Sequence, residues 1–208
     1  MNRRHFILTA LALGAAPPAW TAEPPTILVL GDSLSAEYGI ARGSGWVALL
    51  EKRLAAEKIA AQVVNASVSG DTTAGGRARL PALLKKHAPA VLIIELGGND
   101  ALRGLPLATT EANLNAMAQA AQQAGAKVLL AGMEVPPNYG ADYSRRFQAM
   151  FAQVAKARQT ALVPFLLKGV ADAPNATALF QPDRIHPTAA AHPTILGNVW
   201  PELRKLLK

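Results

Sequence analysis

Residues 26–30, Thr26 to Leu30, form a short apolar run with no polar interruption, the pattern of a strand covered on both faces. Over residues 46–58 the period changes. Val47, Leu50 and Leu54 share one helical face, with Glu51, Lys52 and Glu57 opposite. These two patterns then alternate to the end of the chain. Further strands are predicted at residues 62–64, 91–96, 127–131 and 161–163, and further helices at 74–86, 111–124, 143–157 and 188–207. Gly75, Gly76 and Pro81 predict a late start or a kink in the helix over 74–86, and Pro193 and Pro201 a bend in the last one. Residues 91–96 are the most apolar run and are expected at the centre of the sheet.

Strands alternating with helices imply right-handed crossovers and a parallel sheet between two helical layers. Five strands fit a three-layer α/β/α, flavodoxin-like fold of order 2-1-3-4-5. Ligands of such folds bind beyond the carboxyl ends of the strands, where this chain places its polar, glycine-rich segments.

The first 22 residues read as an export signal, not as structure. Arg3 and Arg4 form a basic start, residues 6–16 are apolar, and small residues lead to Ala22. The apolar run is shorter than the roughly 20 residues a transmembrane helix needs. The pair Arg3-Arg4 also fits a twin-arginine signal, although Asn2 stands where that signal has Ser or Thr, so the Sec and Tat routes both stay open. Residues 23–208 are then one domain, with no stable membrane anchor, exported to the periplasm or beyond and expected to be monomeric.

Composition narrows the chemistry. There is no cysteine, which excludes thiolate catalysis and Cys-ligated zinc. The net charge is +7, of which Arg3 and Arg4 supply two, leaving +5 after signal removal. The remaining basic residues are scattered and not interleaved with aromatics, so no nucleic-acid partner is expected.

Four segments at strand ends carry candidate chemistry. Gly31-Asp32-Ser33 follows the first strand and sets a serine on a tight turn that Gly31 makes possible. Ser69-Gly70-Asp71 follows the second, where a glycine N–H can meet an oxyanion unobstructed. Gly97-Gly98-Asn99-Asp100 follows the third, and the Asn99 amide suits either an oxyanion or a helix cap. Asp183-Arg184-Ile185-His186-Pro187 places an acid and an imidazole three positions apart, so that one ring nitrogen meets the carboxylate and the other faces outward as a base. One His and one Asp are too few for a metal site, and no metal or other cofactor is called for. Of the other histidines, His5 leaves with the signal, His87 ends an amphipathic helix and His192 sits early in the last helix without a nearby acid. Together the segments supply nucleophile, oxyanion donors, base and orienter, the inventory of acyl transfer. A flavodoxin-like binding module is the rival of another class, but no Gly-x-Gly-x-x-Gly loop opens a helix here.

The chain resembles the SGNH (GDSL) hydrolases, and within them the bacterial thioesterase I/protease I/lysophospholipase subgroup, which includes arylesterases. The resemblance rests on residues 30–35, 65–67, 69–72, 79–84, 95–100, 102–104, 137–140 and 185–187. It implies that Ser33, Gly70, Asn99 and His186 carry the four family letters and that Asp183 orients the base. It further implies an oxyanion hole of the Ser33 N–H, the Gly70 N–H and the Asn99 side chain, and a substrate-side loop of Ala101, Leu102, Arg103, Gly104, Leu105 and Pro106. Glu134, before Val135 and Pro136 on the expected rim, departs from relatives that are neutral or basic there. The implied activity is hydrolysis of small acyl esters or thioesters without a cofactor, with carbohydrate O-deacetylation at the same site as the alternative.

Overall fold

Five strands pair in parallel in the order β2-β1-β3-β4-β5: β1 (Thr26–Gly31), β2 (Gln62–Asn65), β3 (Val91–Glu95), β4 (Lys127–Ala131) and β5 (Ala161–Val163). The structure is a computed structural model and describes residues 23–208. The expected export signal lies outside the described residues. All five residues of β3 are buried, as a central strand requires, whereas the edge strand β2 is only partly covered.

The connections decide where a site can form. From β1 the chain moves outward to β2 through α1 (Trp46–Ala56), then reverses over β1 to β3 through α2 (Thr73–His87). A right-handed crossover that reverses direction changes face. Accordingly α1 packs with α7 (His192–Leu206) on one side of the sheet, and α2 with α4 (Leu107–Gln123) and α5 (Ala141–Arg158) on the other. The reversal opens a crevice between the carboxyl ends of β1 and β3, the usual ligand position of doubly wound sheets.

Several local expectations change. Residues 98–102 form a short helix, α3 (Gly98–Leu102), and α4 begins at Leu107, four residues before the predicted start. The polar run Thr109-Thr110 hides that start, because Thr110 is buried inside the protein. α2 runs through Pro81 to His87 without interruption, capped by the Thr72 hydroxyl, which accepts from the Gly75 N–H. A further turn of helix, α6 (Ala176–Leu179), lies between β5 and the last helix. The last helix is preceded by a separate 3-10 turn (Ala189–Ala191). His192 is not idle: its Nδ1 accepts the first N–H of α1, from Trp46, at 3.0 Å and joins the two helices of that layer. Burial lowers the His192 pKa, which keeps the ring neutral for this role.

Candidate active site

Past Gly31 the backbone turns tightly. The Asp32 carbonyl accepts from the Ser35 and Ala36 N–H groups at 3.2 and 3.0 Å, and the Asp32 Oδ1 accepts from the Leu34 N–H at 3.0 Å. Ser33 is left half-buried at the crest of this turn. Glu95 lies beneath it, because the β1–β3 register sets Glu95 beside Gly31. Its Oε2 accepts from the Asp32 N–H at 3.2 Å and from the Ser35 hydroxyl at 2.7 Å, and the Trp46 indole N–H donates to the same hydroxyl at 3.1 Å. This explains Gly31 differently from its expected turn role. A Cβ there would stand 2.8 Å from both Glu95 Oε2 and Ser35 Oγ, so the glycine is needed for close approach.

On the second strand end, Gly70 sits at φ +78°, a left-handed position that suits glycine. Its carbonyl accepts from Arg103 Nη2 at 2.6 Å. Arg79 braces the same region, donating to Asp71 Oδ2 at 2.8 Å, to the Gly31 carbonyl at 3.2 Å and to the Ala66 carbonyl.

At the third strand end Asn99 does not cap a helix. α3 has no side-chain cap; Asn99 Nδ2 instead donates to Asp32 Oδ2 at 2.9 Å. Asp100 is buried and does cap a helix, but that helix is α2. Its carboxylate accepts the Thr73 N–H at 2.8 Å, the Thr73 hydroxyl at 2.5 Å and the Thr110 hydroxyl at 3.2 Å. Residues 101–106 are the end of α3, a left-handed Gly104 and the Pro106 N-cap of α4.

The turn over residues 183–186 builds the rest. Asp183 Oδ1 accepts the Ile185 and His186 N–H groups at 2.9 and 3.0 Å, while Oδ2 lies 2.7 Å from His186 Nδ1. The other ring nitrogen, Nε2, is 2.8 Å from Ser33 Oγ. Gln181 ties this turn to the serine segment: its amide N–H groups donate to the Tyr38 and Pro187 carbonyls at 2.9 and 3.1 Å. The Tyr38 ring lies 4.3 Å from the His186 ring, centroid to centroid.

Charge states follow from burial and hydrogen bonding. The N–H groups of His186 and Ile185 hold Asp183 down at about 2, well below the usual 3.8, so it is ionised throughout the neutral range. Burial raises Asp32 from 3.8 to about 6 and pushes Glu95 well above the usual carboxylate range. At neutral pH Asp32 is ionised. Glu95 Oε1 is buried with no partner among the described residues. An ionised Asp32 has only acceptors, so it holds the Asn99 carboxamide with nitrogen, not oxygen, toward the serine turn. Among the described residues, the Ser33 and Gly70 N–H groups have no protein acceptor. Neither Asp32 nor Glu95 was expected in the site. The signal available in sequence was an acidic residue ending an apolar strand, where burial makes a carboxylate costly.

Of the remaining expected residues, Glu134 is exposed at the end of β4, and its Oε1 accepts from Gln148 of α5 at 2.6 Å. Val135 packs against the core and Pro136 is exposed.

Residues 29–193 match the model of the GDSL-like lipase/acylhydrolase family. The chain is 54% identical over 186 residues to the esterase TesA of Pseudomonas aeruginosa, covering 89% of this chain and 91% of that one. It is 41% identical over 186 residues to the thioesterase 1/protease 1/lysophospholipase L1 of Escherichia coli K12, covering 89% and 86%. The crystal structure of TesA superposes with a TM-score of 0.84 over 87% of this chain and 99% of that one. A psychrotrophic esterase, EstA of Pseudoalteromonas, inhibited by monoethylphosphonate, gives 0.82 at 39% identity, covering 88% and 98%. With its sheet order and its sequence in agreement, the chain belongs to the GDSL-like lipase/acylhydrolase family, carboxylic ester hydrolases of the SGNH type.

Proposed function

We propose that this protein hydrolyses aryl, alkyl and lysophospholipid esters, and acyl-CoA thioesters, through an acyl-enzyme on Ser33. The observation that carries the reading is the continuous line from Asp183 through His186 to Ser33 Oγ, with contacts of 2.7 and 2.8 Å. Neutral His186 takes the Ser33 proton at Nε2 as Oγ bonds to the acyl carbon. The oxyanion is met by the Ser33 and Gly70 N–H groups and by the Asn99 N–H not used by Asp32. Collapse breaks the bond to the leaving alcohol or thiol, which receives the proton from His186. Water then enters by the same steps in reverse and releases the acid. Residues 101–106, with Glu134, Val135 and Pro136, line the substrate side. The protein acts as an exported monomer after loss of residues 1–22, a reading supported by Arg3-Arg4 and the apolar run that follows.

The test is turnover by purified mature protein of aryl esters, acyl-CoA, lysophospholipid and acetylated sugar. Failure on every acyl ester ends the reading, and a preference for acetylated sugar redirects it to deacetylation. Glu134→Arg is expected to raise kcat/KM for acyl-CoA severalfold at low salt and to leave neutral aryl esters unchanged, because a rim charge contributes about 0.2–1 kcal/mol and is screened. Equal effects on both substrates remove Glu134 from the specificity account.

Asn99→Ala is expected to lower kcat by about 10²–10³ with little change in KM. Asp32→Asn should follow it. Both Asp32 oxygens accept, from Leu34 and Asn99, and an amide offers only one acceptor. Combining the two changes should cost little more than one alone. kcat/KM should fall as pH drops through about 6, where Asp32 gains a proton and loses its hold on Asn99. An acid limb left unchanged by Asp32→Asn would separate Asp32 from catalysis.

A further inference from the structure

The described residues expose four large apolar side chains: Tyr38 at 51%, Val68 at 52%, Leu102 at 50% and Ile185 at 44%. Single exposed apolar residues are ordinary, and four scattered ones would carry no meaning. These four are not scattered. Each lies on a different segment at the carboxyl edge of the sheet, and together they flank Ser33 on two banks. On one bank Val68 follows β2, its N–H bonded to the Gly31 carbonyl at 3.0 Å, and Leu102 ends α3. The Arg103–Gly70 contact at 2.6 Å joins these two segments. On the other bank Tyr38 packs on His186, and Ile185 precedes it on the same turn.

Each bank also carries an exposed arginine beside its apolar residue: Arg103 next to Leu102, and Arg184 next to Ile185. Arg184 has no acidic partner among the described residues. The acids on this edge are mostly engaged: Asp183 with His186, Asp71 with Arg79, and Glu37 with the Gly43 and Gly45 N–H groups. Apolar side chains flanked by unneutralised guanidinium groups match a surface of acyl chains beneath anionic headgroups.

We infer that the rim of the crevice docks on an anionic phospholipid surface, Leu102 and Ile185 entering the acyl layer and Arg103 and Arg184 pairing with headgroup phosphates. Contact is peripheral, since no helix among the described residues is long and apolar enough to cross a membrane. Docking places the mouth of the Ser33 crevice against the lipid, so an ester enters directly from the surface. That consequence rests on the ester-hydrolase reading; the docking itself does not.

The experiment is co-sedimentation of the Ser33→Ala protein with phosphatidylcholine vesicles, with and without phosphatidylglycerol. The inactive protein separates docking from turnover. Strong partitioning is expected only with phosphatidylglycerol and should fall as salt is added. Leu102→Ser with Ile185→Ser, and separately Arg103→Ser with Arg184→Ser, should each weaken it by about tenfold or more. Lys85→Ser with Lys86→Ser should leave it unchanged, because these exposed lysines end α2 at the opposite edge of the sheet. Melting temperatures check that the variants remain folded. No partitioning overturns the inference, as does a lysine variant that weakens binding as much as the arginine one, or an apolar variant that binds normally. If the wild-type protein also fails to hydrolyse esters while its inactive form docks, the proposed function fails and the docking surface stands.

Discussion

Ser33→Ala is expected to abolish covalent labelling by a fluorophosphonate and to lower kcat by about 10⁴–10⁶. The Ser33 side chain makes one hydrogen bond, to His186 Nε2, and supports no other part of the turn. The turn is held by the Asp32 and Glu95 contacts instead. Losing the hydroxyl should therefore leave the melting temperature unchanged and remove only the nucleophile. The residual rate comes from the oxyanion donors, which survive the change and still favour attack by water. Ordinary esterase turnover by Ser33→Ala would place the nucleophile elsewhere, and intact labelling at another residue would identify it.

Asp183→Asn should lower kcat by about 10⁴ with the fold retained, and the geometry says why. Oδ1 of Asp183 accepts two backbone N–H groups, so an amide at this position must keep its oxygen there. Its NH₂ then faces His186 Nδ1 and donates to it. The imidazole is forced into the tautomer with its proton on Nε2, where it can only donate to Ser33 and cannot accept the proton. Asp183→Ala should behave differently, losing the turn as well as the tautomer. The pair is read by kcat together with melting temperature. An Asp183→Asn protein with full activity would show that the carboxylate neither orients nor stabilises the imidazole.

The sheet was legible because each strand is a short apolar run bounded by turn residues, and because a buried parallel strand has no other pattern. The alternation implied a parallel sheet, and the five strands fit the order 2-1-3-4-5 that the structure has. Helix boundaries were less legible where polar residues turned inward. Thr110 and Asn113 look like surface positions in the sequence, yet both are buried because they serve Asp100 and Thr73. The same applies beneath the site. Ser33, Asn99, Asp183 and His186 stood out because each is a polar group at a strand end or on a stiff turn. Glu95 did not, since its place depends on the β1–β3 register, which no local pattern states. Asp32 was visible as a turn residue, but its hold on Asn99 joins positions 67 residues apart and exists only once the sheet is formed.

The Gln181 bridge has a consequence for how the enzyme comes into being. Ser33 and His186 are 153 residues apart in the chain, and they meet only when the turn over residues 183–186 docks beside Tyr38. A chain emerging from the ribosome folds its early segments first, and contacts of such long sequence separation form late. A chain made only as far as residue 180 thus holds Ser33 without the imidazole it meets in the folded protein. The Ser33–His186 contact therefore exists only once the segment over residues 181–187 has been made and has docked beside Tyr38.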